Sequence, residues 1–352
     1  MSSPCPKEAR WDPSRVMGSN CLFNLVTGMR GVGKTYAMKK IAVKRYIERG
    51  EAWVYMRYNE VMVKNILRSP NPFLGDLVVN EEFPDYTFKN EGPRMYVAQK
   101  SKHLKWELFG SIVPLIAFDS YKGTTAPTTT LMVLDEFIKE KEKRNVPYPP
   151  GVVSAFYNIH ETFDRREGRV KFVGLANTAN IVNPFFQAWR IKPIPKGTGK
   201  KFPVGKTKVY YENAWTEAYE AWARSSELGA LTFGTEYDDY AVGNEFTGQT
   251  GLFVAPRPKQ SRCDTCIVWE GSRFGVWVAR NYMEIHIDDK PARDVGSIVL
   301  TREDMMPNYL MIERANPYLK WLVKAYQFGQ MTFRNDVVRE TFLEMLSMCG
   351  LK

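Results

Sequence analysis

The chain has 352 residues, 44% of them apolar and 25% charged, with 49 Lys and Arg against 39 Asp and Glu for a net charge of +10. That composition excludes a disordered chain and leaves room for two domains with cores of their own. No stretch is apolar enough to suggest a membrane span, and the positive excess favours polyanionic partners.

The five cysteines, Cys5, Cys21, Cys263, Cys266 and Cys349, follow no disulfide framework. They point to reduced thiols and a cytosolic setting. The polar segment from Met1 to Arg15 has no apolar signal core, so secretion is not expected.

In chain order, Cys21 to Val26 reads as a short buried strand ending near Gly28. Lys34 to Arg49 has a helical pattern. Ala52 to Met56, Leu131 to Leu134 and Val170 to Leu175 read as further strands, with a helix near Val152 to Phe163 between the last two. Strands alternating with helices predict an open parallel sheet. From Arg190 to Lys208 prolines, glycines and lysines dominate, which is linker chemistry. A short helix with Trp215, Tyr219 and Trp222 on one face follows, expected to pack between domains. Leu252 to Ala255, Cys266 to Trp269, Phe274 to Ala279 and Met283 to Ile287 read as an antiparallel meander. Helices near Tyr318 to Gln327 and Asp336 to Met348 close the chain. The expected division is an α/β domain over 1–199, a linker over 200–230 and an α+β domain over 231–352.

Gly28-Met29-Arg30-Gly31-Val32-Gly33-Lys34-Thr35 fits G-x-x-x-x-G-K-[ST], after a strand and opening a helix, as a phosphate loop requires. Gly28, Gly31 and Gly33 let backbone N–H groups approach phosphates, and the helix start adds positive potential. Lys34 is the residue for the β- and γ-phosphates, and Thr35 supplies a hydroxyl to Mg²⁺. The apolar run Leu131 to Leu134 ends in Asp135 and Glu136. Asp135 suits the Mg²⁺ shell, and Glu136 suits the orientation of an attacking water. A glutamate at that place implies ATP hydrolysis and a RecA-like fold, with one strand inserted between those carrying the two motifs. Asn177, ending the strand Val170 to Leu175, is a candidate γ-phosphate sensor. Arg165 and Arg166 are candidates for an arginine finger reaching across a subunit interface, and Arg30 for one acting within its own subunit.

Together these residues resemble the genome-packaging ATPases of phi29-like tailed phages. The resemblance runs through the phosphate loop with Arg30, then Asp135-Glu136-Phe137-Ile138 with Glu140-Lys141, and Val153-Ser154-Ala155. It continues through Thr162, Arg165, Arg169-Val170, Asn177 and Val182-Asn183-Pro184. It resumes at Gly234-Thr235-Glu236-Tyr237, Asn244, Phe246 and Gly275-Val276-Trp277-Val278. The lysine-rich stretch from Lys196 to Lys208 departs from the family pattern.

The resemblance implies a homomeric ring, a pentamer, on the portal vertex of an empty capsid, pumping double-stranded DNA inward with ATP and Mg²⁺. Some relatives bridge ring and portal with a structural RNA, and the resemblance leaves its use here open. It implies catalytic roles for Lys34, Glu136 and Asn177. Arg165 falls at the trans-acting finger, and Lys122 at a second trans-acting basic residue. It also places the protein in the cytoplasm of the infected host, transiently on the procapsid and not in the mature virion.

For the second domain the resemblance implies an RNase H-like fold that has lost nuclease chemistry. Active nucleases of that type gather carboxylates around two metal ions. The expected first meander strand, Leu252 to Arg257, carries no acid, and Asp238, Asp239, Asp288 and Asp289 read as solvated loop acids. Cys263-Asp264-Thr265-Cys266 lacks the second pair that a zinc site needs. DNA contacts are expected to be to phosphates, without sequence preference. The candidates are Lys192, Lys196, Lys200, Lys201, Lys206 and Lys208, with Arg257, Lys259 and Arg262.

Three alternatives share some of these features. A plasmid pump or helicase would lack the second-domain signature. A nucleotide-gated scaffold has no need of Glu136. A terminase with a working nuclease would need the missing strand carboxylate.

Overall fold

The computed structural model describes residues 5–69, 73–101, 103–121, 128–138, 148, 151–178, 183–244, 253–280 and 282–349. The chain forms two compact units, one of Met1–Phe185 with Trp189–Phe246, the other of Phe186–Ala188 with Thr247–Lys352. Among the described residues no helix is long and apolar enough to cross a membrane.

The first unit is built on a nine-stranded sheet. Its strands are β1 (Phe23–Gly28), β2 (Ala52–Arg57), β3 (Tyr86–Glu91), β4 (Arg94–Gln99), β5 (Glu107–Pro114), β6 (Thr129–Asp135), β7 (Lys171–Asn177), β8 (Gly199–Val204) and β9 (Thr207–Ala214). Their order is β3-β4-β5-β2-β6-β7-β1-β9-β8. From β5 to β9 every neighbouring pair is parallel, and the hairpins at both edges are antiparallel. The central strands are buried almost throughout, as strands covered by helices on both faces must be. On one face Val26, Met38, Val43, Tyr55 and Val133 share a core with the helix Lys34–Arg49. Elsewhere in this unit an aromatic cluster joins the helix Val152–Asp164 to the sheet, with the Phe156 and Phe172 rings 4.3 Å apart and Phe185 and Trp189 beside them.

The sheet overturns the expected linker. Residues 199–214 form the β8–β9 hairpin, and β9 pairs in parallel with the strand of the phosphate loop, Phe23 opposite Val209 through Gly28 opposite Ala214. Lys200, Lys201, Lys206 and Lys208 are exposed on the hairpin, where charge also protects a sheet edge from further pairing. Lys196 is 3.3 Å from Glu220 and lies over the Trp215 ring. The first unit therefore extends to Phe246, not residue 199, and takes in Gly234 to Tyr237 and Asn244. Asp238 is buried in it beside Arg224 rather than solvated.

The second unit carries a six-stranded mixed sheet, ordered β14-β13-β10-β11-β12-β15. Its strands are β10 (Arg262–Trp269), β11 (Ser272–Ala279), β12 (Glu284–Asp288), β13 (Ser297–Val299), β14 (Tyr309–Met311) and β15 (Met331–Phe333). β10, β11 and β12 are an antiparallel meander, and β13 and β14 join β10 in parallel, which is the strand order of an RNase H-like sheet. The helices Pro317–Gln327 and Asp336–Met348 start on Asn316 and Asn335 caps. They bury Leu319, Leu322, Phe342 and Met345 against Ile267, Phe274, Ile285 and Phe333.

The meander begins at Arg262; of the expected strand Leu252 to Ala255, Leu252 lies outside the described residues, and among the described ones Val254 makes an isolated bridge to Phe333. The first strand thus does carry an acid. Asp264 sits at a register shift in β10 and accepts hydrogen bonds from the Tyr282 and Tyr318 hydroxyls, both at 2.9 Å. Among the described residues no three His, Cys, Asp or Glu side chains gather as a metal site would require.

Candidate nucleotide site

The carboxyl ends of β1, β2, β6 and β7 bring the site together. β1 runs directly into the phosphate loop, and the helix Lys34–Arg49 starts at Gly33, whose φ of 96° is left-handed. No side chain caps this helix start, so its N–H groups stay available to an anion. Gly28 has a different reason to lack a side chain: a Cβ there would lie 2.4 Å from the Ala214 carbonyl oxygen of β9.

Lys34 is buried, and its ammonium donates to the carbonyls of Gly28 at 3.0 Å and Met29 at 2.8 Å and to Asn177 Oδ1 at 3.3 Å. Burial lowers its pKa to about 7, against the upward pull of Asp135. Asn177 reaches this point because Gly28 and Asn177 lie opposite each other in the β1–β7 register.

Thr35 Oγ1 donates to Asp135 Oδ2 at 2.9 Å, so the hydroxyl and carboxylate expected to share a Mg²⁺ are adjacent. The same carboxylate oxygen accepts from the buried Tyr55 hydroxyl at 2.6 Å. Glu136 follows with a left-handed φ of 58°, which turns the chain off the end of β6. Its carboxylate takes a 2.5 Å hydrogen bond from Arg57 Nη2, while Arg57 Nη1 lies 3.6 Å from Asp135. Burial acts to lower the Arg57 pKa, and the neighbouring Tyr55, Asp135 and Glu136 outweigh it, so this arginine is firmly cationic.

Sequence reasoning missed Tyr55 and Arg57. Both lie at the carboxyl end of β2, beside β6 in the sheet. The available signal was a buried strand, Ala52 to Arg57, ending in polar groups, since ligands in open parallel sheets bind beyond the carboxyl ends of strands.

The loop is also held from outside. Trp11 N–H donates to the Val32 carbonyl at 3.0 Å, and Arg30 N–H donates to the Ala241 carbonyl at 2.9 Å. The Tyr219 hydroxyl donates to the Arg30 carbonyl at 2.9 Å. The aromatic helix expected between domains, Glu217–Arg224, is thus folded against the phosphate loop of its own unit. Asn244 closes the arrangement by bonding Thr178, Asn213 and the Ala214 carbonyl.

Arg165 lies elsewhere. It ends the helix Val152–Asp164 in a left-handed conformation, φ 50°, with Arg166 at φ 64°. Both are exposed. The turn is fixed from below by Asp164, which accepts N–H bonds from Gly168, Arg169 and Val170 at 2.8–2.9 Å. Arg169 adds 2.7 Å bonds to the Thr129 and Phe163 carbonyls. This turn leads into the start of β7, whereas Asn177 ends it, so Arg165 is about 20 Å of strand away from its own phosphate loop. Lys122, Glu140, Lys141, Val182 and Phe246 lie outside the described residues.

One strand, β7, stands between β1 with its phosphate loop and β6 with its paired acids. That order, with the Lys34–Thr35–Asp135–Glu136 constellation, defines the RecA-like class of P-loop ATPase folds. Within it the chain belongs to the podovirus DNA encapsidation protein (Gp16) family, which it matches over residues 6–349. It is 32% identical to the DNA packaging protein of Bacillus phage phi29 over 349 residues, covering 96% of this chain and 97% of that one. It is 30% identical to the DNA packaging protein of Bacillus phage B103 over 327 residues, covering 92% and 96%. Among solved structures, a chain of the bacteriophage phi29 viral genome packaging motor assembly superposes with a TM-score of 0.72 at 29% identity, covering 97% of this chain and 99% of that one. A chain of the Phi-28 gp11 DNA packaging motor shares the fold, with a TM-score of 0.64 at 16% identity and 99% coverage of both.

Proposed function

We propose that the chain is the ATP-hydrolysing subunit of a homomeric ring, a pentamer, that drives double-stranded DNA through a portal into a preformed capsid. It works in the cytoplasm of the infected cell, transiently on the procapsid, and is not retained in the mature virion. Family membership supports the packaging role. The observation that carries the hydrolytic role is Glu136 beside Asp135 at the end of β6, next to the phosphate loop.

The residues fit Mg²⁺-ATP. The uncapped start of the helix Lys34–Arg49 and the Lys34 ammonium provide the positive potential, and the Thr35–Asp135 pair provides hard oxygen ligands. Bound there, Mg²⁺ would neutralise charge on the phosphates. Glu136 orients and deprotonates the attacking water once its carboxylate leaves Arg57. Asn177, hydrogen-bonded to Lys34, senses the phosphate end of the site and relays its state along β7. Arg165 is too far from its own loop to serve it, which supports a role on the site of a neighbouring subunit. Lys122 is proposed as the second trans-acting cation, on the resemblance alone.

The test is ATP hydrolysis with and without duplex DNA for the wild type, Glu136→Gln, Arg165→Ala and a mixture of the two variants. Each variant alone is expected to bind ATP and hydrolyse almost none. The mixture regains activity, because some interfaces pair an intact glutamate with an intact finger. Full activity in Glu136→Gln would overturn the catalytic assignment, and no recovery in the mixture would overturn the trans assignment of Arg165.

A further inference from the structure

Far along the chain from the nucleotide motifs, the second unit holds a cleft of about 550 Å³ lined by Arg257, His286, Asp288, Lys290 and Arg334, with Val254 to Pro256 forming its wall. It opens at the carboxyl ends of β12 and β15, which run parallel. We propose that this cleft is a binding site for a phosphate of the nucleic-acid backbone. This inference rests on the reading that the chain works on DNA.

The layering of charge carries the assignment. Asp288 lies underneath, its side chain only 9% exposed, and holds two guanidiniums above it. Arg334 Nη1 is 3.2 Å from Asp288 Oδ1 and also pairs with Asp289; Arg257 Nη1 is 3.8 Å from Asp288 Oδ2. Those guanidiniums are the exposed members, at 31% and 42%. The Arg257 guanidinium carbon lies over the Trp277 ring, 3.8 Å from its centroid, which helps to hold it in place. Lys290 is exposed beside them, and the lysine makes no ion pair among the described residues. Three cations thus face outward against the carboxylates of Asp288 and Asp289, leaving a net charge of +1. Forked, pre-oriented guanidiniums are suited to phosphate oxygens.

A second observation points the same way. His286 is 1% exposed, and its Nδ1 is 3.0 Å from Thr332 Oγ1. Its Nε2 is buried with no hydrogen-bond partner among the described residues, although the ring lines the cleft. A buried polar atom left unpaired is costly, and an anion entering the cleft would change the surroundings of this ring. The cleft is much larger than a phosphate, which leaves room for the adjoining sugar. The contact proposed here is to phosphate oxygens, which carry no sequence information.

The full-length chain has three histidines, His103, His160 and His286, so each ring Cε1–H signal can be assigned by a single His→Gln substitution. Proton NMR with ADP and Mg²⁺ at saturation would follow these signals during titration with a short mixed-sequence duplex and, separately, with inorganic phosphate. The duplex is expected to move the His286 signal. Lys290→Gln, an exposed substitution that leaves every ion pair intact, is expected to weaken duplex binding about threefold and to lower the salt slope by about one. Arg257→Ala is expected to weaken it further and to abolish the His286 shift. Duplex binding with a silent His286 signal and an unchanged salt slope in Lys290→Gln would overturn the site while leaving the DNA motor intact. A shift with phosphate and none with duplex would overturn the nucleic-acid assignment. Absence of any duplex binding by the wild type would overturn the motor reading and this site with it.

Discussion

Arg57 Nη2 lies 2.5 Å from Glu136 Oε2, so the carboxylate best placed to activate water is held by a guanidinium from the neighbouring strand. A carboxylate accepting a hydrogen bond from an arginine is a weaker base. On the proposed role of Glu136, the pair would restrain hydrolysis until something draws Arg57 off. Arg57→Ala is expected to raise ATP hydrolysis measured without DNA several-fold and to reduce its further stimulation by DNA. Arg57→Ala combined with Glu136→Gln should be inactive. A fall of Arg57→Ala to the level of Glu136→Gln would show that the contact positions the glutamate productively instead.

Tyr219 holds the phosphate loop through the Arg30 carbonyl, and the hydroxyl would meet a Cβ on Gly31 at 2.5 Å. Tyr219→Phe removes that one hydrogen bond and leaves the ring packed. It is expected to cost about 1 kcal/mol of loop order, or roughly fivefold in ATP affinity, with little change in kcat. Gly31→Ala should abolish ATP binding, since φ of 78° and the hydroxyl both oppose a side chain. Calorimetric titration with ATP and Mg²⁺ measures both.

Lys34 has a pKa lowered to about 7 by burial, from an ordinary 10.5. Phosphate beside it favours the charged form, so the bound-state pKa is higher than the free one. Above pH 7 the free lysine is increasingly neutral and binding must take up a proton. ATP affinity is therefore expected to fall with rising pH, by up to about tenfold per unit, until the bound-state pKa is passed. Titrations in buffers of different ionisation enthalpy should show proton uptake at pH 8, and Lys34→Ala should show none.

Asp164 shapes the turn that presents Arg165. Burial acts to raise its pKa, but the N–H groups of Val170, Gly168 and Arg169 outweigh it and hold the carboxyl below its ordinary 3.8. Its contribution to stability is complete above that value and is lost as pH falls through the lower folded-state value. Asp164→Asn keeps the shape but loses an acceptor. It is expected to destabilise the protein by about 1–2 kcal/mol and to lower kcat more than ATP affinity. In the mixing experiment it should behave as a weak Arg165→Ala, rescued by Glu136→Gln. Rescue would distinguish positioning of the finger from a general loss of fold.

The local signals were strong where chemistry restricts the residues. A phosphate loop needs its glycines, lysine and hydroxyl within eight consecutive positions, so Gly28 to Thr35 were legible at once. So were Asp135 and Glu136, because an apolar strand ending in two acids follows downstream of that loop. Helices such as Lys34–Arg49 and Asp336–Met348 were legible from their apolar periodicity, and the structure ends the first at Gly50 and caps the second with Asn335. The lysine-rich stretch failed as a linker because an edge hairpin also tolerates Lys, Gly and Pro; what folds it is pairing with β1, a partner far upstream. β3 and β4 went unseen for the related reason that partly exposed strands at or next to a sheet edge lack a clean apolar run, and β5, though buried over most of its length, because Gly110 and Ser111 interrupt its apolar residues.

By itself the sequence determined which groups could hold phosphate, metal and water, because that chemistry is carried by residues adjacent in the chain. Only the tertiary structure decided what controls them. Arg57, Tyr55 and Tyr219 act on the site through neighbours in the sheet or helices folded back over the loop, at sequence separations that no local pattern encodes. Arg165 shows the same division: its identity was visible in the sequence, but its place at the far end of β7 from its own phosphate loop was set by the sheet.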